Sequence, residues 1–216
     1  MSETMLMEAV VLQEPALQGD LAVPPHALGL VLFAHGSGSS RLSSRNRWVA
    51  HQLQERGLAT LLIDLLTEEE ARDRRIVFDI PLLCQRVLNA MRWIRQREEM
   101  ANLRLGLFGA STGAAAALMA AAQQPSRVSA VVSRGGRPDL AWESLARVQA
   151  PTLLIVGGHD SEVLELNRQA LRQIRGPKRL EVVPGATHLF EEPGTLASVA
   201  VLSANWFEQH LARSAG

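Results

Sequence analysis

The chain has one cysteine, Cys84, and one lysine, Lys178, among 216 residues. A single cysteine excludes an intrachain disulfide and argues against a cysteine-based zinc site. Leu82, Leu83 and Val87 surround Cys84 with helix-core character, so it reads as a small buried hydrophobe rather than a nucleophile. There is no excess of charge: 22 Lys and Arg balance 22 Asp and Glu. That argues against a broad basic surface, and no nucleic-acid partner is expected. Long apolar runs are also lacking. The longest, residues 27–34, is broken by Gly29 and falls far short of the roughly 20 residues that span a bilayer, so no membrane partner is expected. The opening MSETMLMEAV has neither a basic n-region nor an apolar h-region, so no secretory signal is expected and the default location is cytoplasmic. The histidines lack H-x-H or H-x-x-x-H spacing, which disfavours a metal hydrolase.

What is present is a regular alternation. Apolar residues make up 47% of the chain, enough for a substantial core in one domain over residues 1–216. Residues 10–12 and 21–23 flank a turn at Pro15 and Gly19 and predict an N-terminal hairpin. Buried strands are predicted at 30–33, 59–63, 105–108, 128–132, 152–156 and 179–183. Helices are predicted at 46–56, 80–100, 112–123, 162–174 and 195–211. Residues 67–79 are dense in both charge signs and read as a solvated loop or short helix. This order specifies an α/β fold, a mostly parallel sheet with helices on both faces. Ligands of such folds bind beyond the carboxyl ends of the strands.

The strand ends carry the chemistry. After 105–108 comes Gly109-Ala-Ser-Thr-Gly113, a G-x-S-x-G turn between strand and helix, which would project the Ser111 hydroxyl at the top of the sheet. A serine hydroxyl needs a base, and His188 follows the last strand. The base needs an acid to hold its tautomer. Asp160 ends the 152–156 strand in Gly-Gly-His-Asp, and Asp64 ends an earlier one. Asp160 is preferred because the order Ser111, Asp160, His188 is that of α/β-hydrolases. His35 reads as structural, a ring that fixes its loop, and His159 as a loop residue. The loop His35-Gly-Ser-Gly-Ser-Ser40 invites a phosphate-cradle reading. It lacks the third glycine of G-x-G-x-x-G and lacks G-K-[ST]. Its better role is to supply the Ser37 N–H to an oxyanion, with the Thr112 N–H as second donor.

HGSG at 35–38, GASTG at 109–113, GGHD at 157–160 and GATH at 185–188 together resemble the α/β-hydrolase superfamily, and within it the dienelactone-hydrolase-like small hydrolases. The resemblance implies an eight-stranded sheet, a Ser–Asp–His triad and ester-type hydrolysis with no cofactor. Typical dienelactone hydrolases carry a cysteine nucleophile. Ser111 at that position points away from dienelactone and toward a general carboxylesterase on small esters or lactones. The span between the 128–132 and 152–156 strands leaves little room for a lid domain. An acyltransferase or perhydrolase using the same triad, or a non-catalytic binding protein on this fold, are the alternatives.

Arginines crowd the same end. Arg134 follows a strand, and Arg41, Arg45 and Arg47 follow the HGSGSS loop. Arg134 and Arg41 are candidates to bind a substrate carboxylate bidentately. The competing and preferred expectation is that these arginines pair with Asp64, Asp139 or the 68–70 glutamates and hold loops. The expected partner is a small-molecule ester or lactone, and any protein partner a second copy in a homodimer.

Overall fold

The computed structural model describes residues 4–13 and 15–212. Eight strands form one sheet: β1 (Leu6–Leu12), β2 (Leu17–Val23), β3 (Leu30–Ala34), β4 (Ala59–Ile63), β5 (Leu105–Ala110), β6 (Val128–Arg134), β7 (Thr152–Gly157) and β8 (Lys178–Val183). Their spatial order is β1-β2-β4-β3-β5-β6-β7-β8. β1 and β2 pair antiparallel, β2 joins β4 antiparallel, and every later pairing is parallel. The helices are α1 (Ser44–Glu55), α2 (Arg74–Val77), α3 (Ile80–Gln96), α4 (Thr112–Gln123), α5 (Trp142–Leu145), α6 (Ser161–Gln173) and α7 (Thr195–Leu211), with short 3-10 turns at Glu70–Arg72 and Pro138–Ala141.

The central strands β3, β4, β5 and β7 are buried at every position. That is why they read as continuous apolar runs rather than alternating ones. Two apolar layers cover the sheet. One holds the inward stripe of α3 and the alanines of α4. The other holds Val49 and Leu53 of α1 with Val199, Ala204 and Phe207 of α7. No helix among the described residues is long and apolar enough to cross a membrane.

Three boundaries differ from the sequence reading in ways that matter. The hairpin is longer, with Leu6 paired to Val23 and Leu12 to Leu17. β6 runs two residues past Val132, so Arg134 is the last strand residue rather than part of the following loop. α3 stops at Gln96, not Met100, because Arg97 is extended (φ −93°, ψ 117°). The buried Met100 reaches the core from a turn, where its N–H donates to the Arg97 carbonyl. Cys84 sits in the α3 stripe at 1% exposure, and burial pushes its thiol up to about 11. The thiolate is therefore disfavoured.

Residues 67–79 form short helical turns. Thr67 and Glu70 cap each other: the Thr67 N–H donates to Glu70 Oε2 at 2.9 Å, and the Glu70 N–H to Thr67 Oγ1 at 3.2 Å. This is a capping box. Arg86 of α3 holds Glu70 at 2.7 Å, tying the segment to the sheet's cover.

Candidate active site

Ser111 sits between β5 and α4 at φ 50°, ψ −120°, a conformation that a residue with a Cβ rarely adopts. Strain of this kind costs of order 1–3 kcal/mol and persists only where the surroundings over-determine it. Here they do. The Ser111 N–H donates to the Arg134 carbonyl at 3.3 Å, and the Ser111 carbonyl accepts from the N–H groups of Ala114 and Arg137, both at 3.1 Å. The flanking glycines are required by contact. A Cβ on Gly109 would lie 2.3 Å from the Ala114 Cα, and one on Gly113 would lie 2.3 Å from the Ala34 and His35 carbonyl oxygens. α4 therefore packs its alanine-rich face directly against the sheet, with its N-terminus at the end of β3.

The end of β7 and the loop after β8 are stapled together. The Gly158 N–H donates to the Val183 carbonyl and the His159 N–H to the Ala186 carbonyl, both at 2.9 Å. Gly157 permits the approach: a Cβ there would lie 2.3 Å from the Ala186 oxygen. Asp160 precedes α6 but does not cap it. Its Oδ2 instead lies 2.6 Å from His188 Nδ1. Nδ1 is thus the donor, and Nε2 is left available as a base. Asp64, the competing acid, accepts from Arg41 instead, from its N–H at 2.8 Å and its Nη1 at 2.9 Å.

Ser111, His188, Gly36, Ser37 and Arg134 line one cleft of about 190 Å³. Thr112 opens into a neighbouring cavity of about 600 Å³ that shares Gly36, Ser37, Ser39 and Ser43. Neither the Ser37 nor the Thr112 N–H donates to a backbone or side-chain acceptor among the described residues. His35 holds this loop in place. Its Nε2 accepts from the Leu65 N–H at 3.0 Å, which leaves Nδ1–H to donate to the Gly36 carbonyl at 2.9 Å. Burial pushes the His35 pKa below its ordinary value, and the ring stays neutral.

The arginines divide. Arg41 pairs with Asp64 and Arg45 with Glu191 at 3.0 Å, while Asp139 is held by Arg137. Arg41 is therefore paired to an acid at the end of β4, as the loop-pairing expectation has it. Arg134 departs from that expectation: it is only 7% exposed and forms no salt bridge among the described residues. Its Nη2 donates to Asn46 Oδ1 at 3.2 Å, its Nε is buried without a partner, and its guanidinium lies 5.9 Å from the Phe190 ring centroid. Desolvation, reinforced by the nearby Arg45 charge, pulls its pKa down to about 10. Arg134 is thus a buried cation that lines the cleft with no carboxylate against it among the described residues.

Three contributors escaped the sequence reading. Asn46, 2% exposed at the start of α1, orients Arg134 from 88 positions away. Phe190, fully buried at φ 56°, supplies the ring beneath it. Glu192 grips the histidine loop by accepting from the Thr187 N–H at 3.1 Å and hydroxyl at 2.5 Å, and these bonds hold its carboxyl below the usual range. Ser43 caps α1 by accepting from the Asn46 N–H at 3.3 Å, and a Ser-x-x-Asn cap at 43–46 is the one local signal that could have placed Asn46 at a helix start.

A strained serine after the middle strand of a mostly parallel eight-stranded sheet, with a hydrogen-bonded His and Asp from the last two strand ends, defines the α/β-hydrolase fold. The comparisons agree. The model of the Dienelactone hydrolase family matches residues 17–209, and the chain belongs to that family. A solved dienelactone hydrolase from Anabaena variabilis superposes with a TM-score of 0.92 at 54% identity, over 96% of this chain and 98% of that one. Est1E from Butyrivibrio proteoclasticus matches at a TM-score of 0.80 and 15% identity, over 94% and 98%. Carboxyl esterase 2 from Tuber melanosporum matches at 0.76 and 17%, over 98% and 89%. These last two share the fold alone. Two curated proteins of Mycobacterium tuberculosis, each named "Putative phosphoribosyl transferase", are 60% identical over 193 residues. That stretch is 89% of this chain but only 44% of theirs, so the chain spans about half the length of those relatives.

Proposed function

We propose that the protein is a serine hydrolase cleaving small carboxylic esters or lactones that carry an anionic group. The observation behind this reading is the His188–Asp160 hydrogen bond of 2.6 Å, with His188 lining the same cleft as the strained Ser111. Ser111 Oγ attacks the ester carbonyl carbon while His188 Nε2 takes its proton. The carbonyl π pair moves to oxygen, and the Ser37 and Thr112 N–H groups donate to the resulting oxyanion. Collapse breaks the C–O bond to the leaving alcohol, which takes the proton from His188. Water then attacks the acyl-serine with His188 again as base, releasing the acid. Asp160 holds the imidazole tautomer and stabilises the imidazolium between the two transfers.

Arg134 supports the anionic part. It has no acid partner among the described residues, it lines the cleft, and a carboxylate there would relieve its unpaired charge. The serine in place of the family's usual cysteine supports ester cleavage beyond dienelactone. The transferase name belongs to proteins of which this chain matches 44%, and no feature of the Ser111 cleft favours glycosyl transfer. The test is hydrolysis of a p-nitrophenyl ester panel, charged and neutral, by wild type and Ser111→Ala. Loss of turnover by about 10⁴–10⁶ is expected for a nucleophile removed from a cooperating set. Retained turnover in Ser111→Ala would remove the acyl-enzyme. Acyl transfer to added alcohols or to peroxide, in preference to water, would favour a transferase or perhydrolase on the same residues.

A further inference from the structure

At the opposite end of the sheet from Ser111, the ends of α3 and α4 and the starts of β5 and β6 enclose a cavity of about 460 Å³. It is separated from the serine by the length of β5, about 20 Å for six residues. Its floor is apolar: Leu88, Met91, Ile94, Met100 and Leu105 line it, and four of these are buried. Its rim is cationic. Arg92, Arg95, Arg104 and Arg127 all line it, and among the described residues no Asp or Glu does. In a chain of equal acid and base content, four arginines without one carboxylate is a local asymmetry that costs repulsion.

The rim charges are not spent within the fold. Arg92 donates to Asn89 at 2.6 Å and Arg104 to the Ala212 carbonyl at 3.3 Å, both neutral acceptors. The side chains of Arg95 and Arg127 form no hydrogen bond or salt bridge among the described residues; Arg127 bonds only through its backbone N–H, to the Gln124 carbonyl at 2.9 Å. Glu99, a neighbouring acid in the chain, is occupied by Arg97 at 2.8 Å. The volume falls in the ~300–1,000 Å³ range of small-molecule sites, which combine an apolar lining with a few convergent polar groups.

We propose that this cavity is a second binding site, for a small amphiphilic anion. The guanidinium groups hold a phosphate or carboxylate head, and the apolar floor takes an aliphatic or aromatic body. Arginine suits this task because its planar fork matches such heads bidentately while its stem covers apolar surface. The proposal is independent of what Ser111 does.

The experiment is calorimetric titration of the full chain with decyl phosphate below its micelle concentration, with decyl maltoside and inorganic phosphate as controls. Hydrogen exchange locates the site. Saturable one-to-one binding of decyl phosphate is expected, with protection in residues 88–105 and 124–129. The Arg95→Ala/Arg127→Ala variant should keep its Tm, since neither side chain has a partner to lose, and should bind about tenfold or more weakly. Equal binding of decyl maltoside would reduce the site to an apolar surface and overturn the proposal. So would inorganic phosphate binding as tightly as decyl phosphate, protection confined to the Ser111 cleft, or no saturable binding.

Discussion

Replacing Arg134 by methionine separates function from stability at one position. The guanidinium is almost fully buried, and its pKa falls to about 10 because water has been removed and Arg45 lies near. Holding it charged there costs roughly 3 kcal/mol relative to solution. Against this stand one hydrogen bond to Asn46 and one cation–π contact with Phe190, each worth about 1–2 kcal/mol at a dry site. The gains and the cost nearly cancel. Methionine has similar length and adapts to irregular space, so Arg134→Met should leave the Tm within a few degrees of wild type or raise it. Catalysis should respond differently. A charged hydrogen bond to a substrate carboxylate is worth about 1.5–3 kcal/mol, so kcat/KM for the mono-p-nitrophenyl ester of succinate should fall roughly 10- to 150-fold. The neutral p-nitrophenyl butyrate should change less than about threefold, well under 1 kcal/mol. Thermal denaturation and the paired kinetics decide together. A large drop in Tm with equal losses on both esters would make Arg134 a structural residue and refute the argument.

Gly113→Ala should destabilise the fold by roughly 1–3 kcal/mol or more, because the new Cβ meets the carbonyl oxygens of Ala34 and His35 at 2.3 Å; denaturant unfolding measures it. Asp160→Asn should lower kcat by about 10⁴ with little change in Tm, since the amide disturbs the His188 tautomer but not the shape of the site. His35 gives a pH dependence. Its folded pKa lies below the unfolded value, so its contribution is complete above the unfolded pKa and declines as pH falls through the window between the two values. The unfolding free energy should therefore drop below about pH 6.5, at up to about 1.4 kcal/mol per pH unit from this group. His35→Gln should flatten that part of the profile, and an unchanged slope would assign it elsewhere.

The sheet was legible because burial on both faces leaves continuous apolar runs at β3, β5 and β7, and because each ends in residues with few other uses: HGSG, GASTG, GGHD. Ser111 was read from its G-x-S-x-G turn, His188 from its place after the last strand, and Asp160 was preferred to Asp64 on chain order and position. Arg134 was misread, since the preferred expectation paired it with an acid. Nothing local distinguishes it from Arg41, which does pair with one. The difference is made by burial and by Asn46 and Phe190, 88 and 56 positions away. Sequence periodicity reports which face of an element is apolar, not which distant side chain arrives beneath it. The end of α3 was overrun for a related reason: Met100 is as buried as a helix stripe residue but enters from a turn.

The most direct test of the central claim is intact-mass analysis after treatment with a fluorophosphonate, with the adduct mapped by peptide sequencing. One stoichiometric adduct on Ser111 is expected, absent in Ser111→Ala and strongly slowed in His188→Ala. No adduct on the folded wild-type protein, or an adduct at another serine that persists in Ser111→Ala, would contradict it.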